Sequence, residues 1–149
     1  MVVKLTMPEI MMVGAVATMR RGDSTLRGRV DRIQAGEHAS WDTEVDGAAA
    51  ELAFCKARNR YWGGTVNSFH GADVGSSIQI RQTWRSDGRL IIRDDDSDEH
   101  YYVLITGTVP TFTLVGWISG ADAKNDAWRE NPNNRSPAWF VPQSELRKF

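Results

Sequence analysis

Four side chains in the middle of this chain have the chemistry to hold a hard divalent cation and a phosphate: Glu51, Asp73, Gln79 and Arg81. Magnesium and manganese take oxygen ligands, typically one or two carboxylates completed by water and substrate phosphate. A guanidinium grips phosphate oxygens through two parallel N–H donors. In "GADVGSSIQIR" (71–81), Asp73 lies on a Gly/Ser-rich turn, and Gln79 and Arg81 follow two residues apart on a strand. That spacing puts Gln79 and Arg81 on one face and Ile78 and Ile80 on the other. Brought together, these groups could polarise a phosphoryl group, generate hydroxide and neutralise developing charge, the parts of metal-assisted phosphodiester hydrolysis. Asp73 would be the principal carboxylate ligand, Glu51 a second ligand or outer partner, Gln79 a neutral carbonyl ligand and Arg81 the phosphate clamp.

Each residue also has a purely structural reading. Glu51 can pair with Lys56 or Arg58 on a helix surface, and Asp73 can cap its own turn. Gln79 and Arg81 can be the wet face of an edge strand. Asn67, His70 and Ser77 can flank the same cleft, although a lone histidine more often serves structure. The six tryptophans read as core or sheet-face packing, with Trp84 beside Arg85 the exception that could stack on a base.

The elements that must position these residues change character along the chain. Thr6, Pro8 and Glu9 predict a helix start, with an N-cap, an early proline and a capping-box acid, and a first helix over 7–20. A short helix or irregular segment with Leu26, Val30 and Ile33 follows. A second helix begins near Asp42, with Val45, Ala48, Ala49, Leu52, Ala53 and Ala57 on one stripe and Gly63-Gly64 as the stop. After residue 64 the period becomes two: "TVNSFH", "SIQIRQT", "RLIIR", "YYVLITGT" and "TFTLVGWI", separated by turn residues, predict a meander of strands. Residues 121–130 offer a further short helix, "NPNNRSP" a loop, and the tail a strand and a short helix capped by Ser144.

At 149 residues, 41% hydrophobic and 25% charged, the chain suits a single domain over 1–149. Its organisation reads as an N-terminal helical segment (7–35), a core (about 44–118) and a C-terminal extension (119–149). The lone Cys55 falls in an apolar helical pattern and reads as a buried thiol in a reducing, cytoplasmic setting. Apolar runs fall short of the ~20 residues of a membrane helix, so no membrane partner is expected. A net charge of −1 gives no global positive field, and phosphate binding would have to be local. The basic residues Arg20, Arg21, Arg27, Arg29 and Arg32 and the acidic "DDDSDE" (94–99) both read as solvated surface.

Other chemistries lack their motifs. No phosphate loop, dinucleotide-binding glycine turn or nucleophile elbow is present. His38, His70 and His100 are scattered without zinc spacing. Asp94, Asp96 and Asp98 alternate like a calcium loop but lack its glycine and closing glutamate, which leaves an acidic strand connection.

The segments "AAAELAFCKARNRYW", "ADVGSSIQIR" and "YYVLITG" together resemble the core of the PD-(D/E)XK nuclease superfamily. In that family a helix carries a Glu, a strand ends in an Asp and the next strand carries (E/D)-x-K. The resemblance covers roughly 44–118. It implies an α/β, restriction-endonuclease-like core with a mixed central sheet of about five strands flanked by helices. It also implies Mg2+ or Mn2+ held by Asp73, Gln79, Glu51 and the Ile80 carbonyl, DNA as substrate, and possible homodimer formation, since duplex cutting needs two sites. Beyond the core, "GRLIIRDDDSDEHYYVLITG", "VGWISGADAK" and "PAWFVPQSEL" resemble small proteins of bacteriophages and prophages, which implies a host-cell cytoplasmic location. Two positions depart from the pattern: Gln79 stands where the family has an acid, and Arg81 where it has lysine. The first removes a negative ligand, and arginine, with a pKa above 12, cannot serve as a base. The other reading is therefore a catalytically inactive nuclease-fold module that binds nucleic acid or a host protein. A phage accessory protein without any site is the third.

Overall fold

Glu9 fastens the start of the first helix, accepting the Thr6 N–H at 2.6 Å and the Thr6 hydroxyl at 2.9 Å, with Pro8 in the first turn. In a computed structural model that describes residues 1–28, 41–66, 71–132 and 135–149, this helix, α1, runs Met7–Leu26. It continues past residue 20, and Asp23 pairs with Arg27 one turn on at 2.9 Å. The expected segment around Val30 and Ile33, most of "TVNSFH" and two residues of "NPNNRSP" lie outside the described residues, as do Asn67 and His70.

The second helix, α2 (Trp41–Ala57), has Asp42 and Glu44 in its first turn, where carboxylates suit the positive helix end. It stops before Gly63-Gly64. Asn59 takes the left-handed conformation (φ 49°), and the Arg60 N–H reaches the Cys55 carbonyl at 2.8 Å. Asparagine tolerates that conformation, so it supplies the stop expected of glycine. Ala48, Ala49 and Ala53 are fully buried, and these short side chains let the helix lie close on the sheet. Cys55 is buried as expected, and burial pushes its thiol up to about 11.

Among the described residues the strands form two sheets, not the single sheet of about five strands that the sequence suggests. The first has the order β1 (Val2–Lys4), β5 (Thr111–Ser119), β4 (Tyr101–Thr108), β2 (Ile78–Thr83). The pairs β1–β5 and β4–β5 are antiparallel and β2–β4 is parallel, so the sheet is mixed. The second has the order β3 (Leu90–Ile92), β7 (Ala138–Val141), β6 (Arg129–Glu130). The expected meander is therefore broken at β3, which leaves its chain neighbours to pair with the C-terminal β7. A parallel pair needs a crossover connection, and the chain from Trp84 through β3 and the acidic loop provides it. The short helix α3 (Gly120–Ala123) and two single-turn segments, Asp126–Trp128 and Gln143–Glu145, fill the C-terminal third; Ser144 lies inside the last of these and does not cap it.

Packing follows in three layers. Val13 of α1, the α2 alanines, Val103, Ile105, Phe112, Leu114 and Ile80 form one core between the helices and the four-stranded sheet. Tyr102, Leu104 and Ile118 on the other face join Leu90, Ile92, Trp139 and Val141 in a second core beneath the three-stranded sheet. In β5 the partner of Ile105 is Leu114 and that of Leu104 is Gly116, so Val115 is bulged out of the ladder. One extra residue reverses the facing, which sends Phe112 and Leu114 to the helical core and Ile118 to the other. No helix among the described residues is long and apolar enough to cross a membrane.

Candidate functional site

Glu51 sits in the middle of α2 at 7% exposure, the one charged residue buried among those described. A buried carboxylate must be paired and hydrogen-bonded. Arg20 of α1 meets it with both guanidinium prongs at 2.8 Å, and the Trp62 indole N–H adds a third bond at 3.2 Å. Arg20 is itself steadied by the Thr65 carbonyl at 2.8 Å. Neither sequence-level partner is used: Lys56 pairs with Glu9 at 2.9 Å, and Arg58 lies over the Phe149 ring.

Asp73 occupies the free edge of β2. Residues 77, 79, 81 and 83 turn their backbone toward β4, while Ile78 exchanges both of its hydrogen bonds with Val74 on the outer side. The Ile80 N–H points outward with Ile78 and is taken by Asp73 Oδ2 at 2.6 Å. The Ile80 carbonyl faces the same edge, since N–H and C=O of one strand residue point to the same side. Asp73 thus caps the strand edge instead of its own turn. Burial pushes its carboxyl up to about 6, and the nearby Glu51 charge pushes the same way; the Ile80 N–H and the cations Arg81 and Arg20 pull against them.

Gln79 and Arg81 do share a face. It is the face opposite Ile78 and Ile80, which pack on the helical core. Gln79 Nε2 donates to the Gly71 carbonyl at 3.1 Å and lies 3.4 Å from His100 Nδ1. Arg81 lies over the Tyr102 ring and pairs with Asp96 at 2.7 Å. The four residues thus approach β2 from different directions: Glu51 from the helices, Gln79 and Arg81 on the face toward the second core, and Asp73 at the outer edge, each with its own hydrogen-bond partner.

This arrangement suits a cation in one respect. Asp73 and Glu51 are like charges in a half-buried place, and the Asp73 carboxylate and Ile80 carbonyl open on the same edge. Two hard oxygen donors with a second carboxylate nearby are a magnesium or manganese donor set. Against that, Arg20 already occupies Glu51, and no group of three or more His, Cys, Asp and Glu residues gathers among the described residues.

The acidic loop after β3 is not merely solvated. Asp94 takes the Arg129 fork at 2.9 and 3.2 Å, Asp96 takes Arg81, and Asp98 takes Lys124 at 2.6 Å. Ser77 is tied to β4 through its carbonyl, which accepts from the Tyr101 N–H at 2.8 Å. Trp84 is 74% exposed beside Arg85, while Trp139 is buried beneath Arg129. Arg20 and Trp62 are the residues that sequence reasoning missed. A signal for Arg20 existed, because it falls three and four residues after Ala17 and Val16 on the buried stripe of α1.

Comparison with protein-family models, curated proteins and solved structures returns no match for this chain.

Proposed function

We propose that the chain is a metal-dependent phosphodiesterase acting on DNA, built on a variant of the restriction-endonuclease-like core. The observation that carries this reading is Asp73: a carboxylate at an open strand edge, raised to about 6 by burial and by the Glu51 charge, with cationic Arg81 and Arg20 around it. The mixed sheet with a glutamate-bearing helix packed on it supports the same reading. Mg2+ or Mn2+ held by Asp73 and the Ile80 carbonyl, with Gln79 as a further oxygen donor and Glu51 an outer partner held by Arg20, would supply charge neutralisation and a metal-activated water.

The chain's own residues have separable tasks. Asp73, ionised above pH 6, binds the cation, and the Ile80 N–H fixes its orientation. Arg81 uses one N–H on Asp96, and a guanidinium has five, so it retains donors for a phosphate oxygen. It stabilises charge and takes no proton. Glu51, fixed by Arg20 and Trp62, sets the field that tunes Asp73.

The second reading, an inactive nuclease-fold module that binds nucleic acid or a host protein, is favoured by the bidentate Arg20 on Glu51. The two separate in one experiment. Purified protein is incubated with supercoiled, linear and single-stranded DNA with magnesium or manganese, beside Asp73→Ala, and metal binding is followed by calorimetry. Metal-dependent cutting that the variant lacks supports the enzyme. DNA binding without cutting or metal uptake supports the module.

A further inference from the structure

α1 carries apolar side chains on its outer side as well as on its buried one. Its charged residues, Glu9, Arg20, Arg21 and Asp23, are all half-buried, and its exposed positions carry no charge. Met7, Met11, Met12 and Met19 are 68%, 69%, 52% and 52% exposed, and Leu26 is 89% exposed. These positions and exposed Ala15 share the side away from Val13, Val16 and Ala17, which are buried. Four of the chain's five methionines therefore lie exposed on this one helix. A soluble monomer rarely shows an apolar patch of more than a few hundred Å² without a use for it.

We propose that this face is a self-association surface, on which α1 of a second copy of the chain docks antiparallel about a two-fold axis at Ala15. The spacing is self-complementary. Met11 and Met19 stand four residues either side of Ala15, so a two-fold axis there sets Met11 of each copy against Met19 of the other. Met7 then meets the Gly22–Leu26 end. Small Ala15 and Thr18 at the crossing let the helices approach, and flexible methionine side chains fill the gaps.

The area is sufficient. An exposed apolar side chain offers on the order of 100 Å², so five per copy remove about 1,000 Å² in total, the lower bound of a specific interface. The dimer is accordingly a weak one.

Charge selects the occupant. A helix that lies in a lipid surface borders its apolar face with lysine and arginine. In α1 two acids balance two arginines, and Arg20 and Glu9 are engaged inward with Glu51 and Lys56. Among the described residues no cation lies on this face to attract an anionic membrane, whereas an uncharged face matches its own copy. Because Arg20 is on the inner side of the same helix, the association surface and the candidate site share one element.

The test is the mass of the full chain by light scattering and sedimentation from about 1 to 200 µM. Met11→Glu/Met19→Glu is run beside it, with circular dichroism to confirm folding, and Ala15→Cys is run under mild oxidation. The expected result is a concentration-dependent dimer whose dissociation constant rises at least about 100-fold in the double variant, since four charges would be buried. Ala15→Cys should give a covalent dimer, because Cys55 is buried and leaves no competing thiol. A chain that stays monomeric throughout overturns the proposal. So does a dimer that persists in the double variant or fails to cross-link at position 15. A monomeric parent that floats with anionic vesicles assigns the face to lipid instead.

Discussion

Arg81 stands between two groups of acids that the fold treats in opposite ways. On the loop after β3, Asp94, Asp96 and Asp98 point to three different cations: Arg81 of β2, and Lys124 and Arg129 of the C-terminal stretch. Those three charges are answered, and Arg129 holds the Asp94 carboxyl below its ordinary range. At the β2 edge, Glu51 is answered by Arg20, but Asp73 receives only a backbone N–H and distant cations, and its carboxyl rises. Acid density is thus a poor guide to function. The run that looks most charged in sequence is the electrostatically quiet one, and two acids 22 residues apart make the strained pair.

The strongest way to break this contrast is by activity. On the proposed function, Asp73→Ala should lower metal-dependent DNA cleavage about 100- to 1,000-fold, the scale of losing a group that stabilises transition-state charge, while Asp94→Asn leaves cleavage unchanged. Equal losses in both variants would erase the distinction.

Next in size is the stability of the buried pair. Glu51→Gln leaves the Arg20 guanidinium only half-answered in a buried place, and should destabilise the fold by about 3 kcal/mol in urea unfolding. The same change removes the like charge beside Asp73, so Asp73 should titrate lower by NMR.

The pH dependence has a definite sign. A carboxyl raised in the folded state favours folding when protonated. That contribution is complete below the unfolded value near 4, shrinks as pH rises toward about 6, and is absent above it. Two units correspond to on the order of 2–3 kcal/mol, and Asp73→Asn should flatten the profile between pH 4 and 6 in paired denaturation curves. On the proposed function, magnesium affinity measured by calorimetry should run the other way, rising with pH through the same window.

The smallest effects belong to the loop. Asp96→Asn leaves Arg81 without its partner and weakens the bond from the Arg93 N–H, for a cost of about 1–2 kcal/mol by thermal melting. Asp94→Asn, on the exposed rim of the loop, should leave the melting temperature where it is.

Much of the fold was legible because local chemistry dictates it. Thr6, Pro8 and Glu9 mark the start of α1, and the alanine stripe of α2 and the period-two runs of β2, β4 and β5 are read directly from residue types. Three things were hidden. "TFTLVGWIS" alternates in burial like a strand with one inward face, yet the Val115 bulge divides it between two cores, and a bulge is set by the partner strand. β3 looks like a member of the meander, but its partner, β7, lies almost 50 residues away. β1 has only three residues and is made a strand by β5.

By itself the sequence determined which chemical groups were available near the candidate site: a helix glutamate, a turn aspartate, and an amide and a guanidinium sharing one strand face. Those follow from residue type and from the periods of helix and strand, which act over a few neighbours. Only the tertiary structure decided their electrostatic state. The parallel pairing of β2 with β4 left the outer N–H of Ile80 for Asp73, and the packing of α1 on α2 brought Arg20 to Glu51. Burial and charge proximity depend on residues distant in sequence, so Asp73, one of nineteen acids in composition, becomes distinctive only in the folded chain.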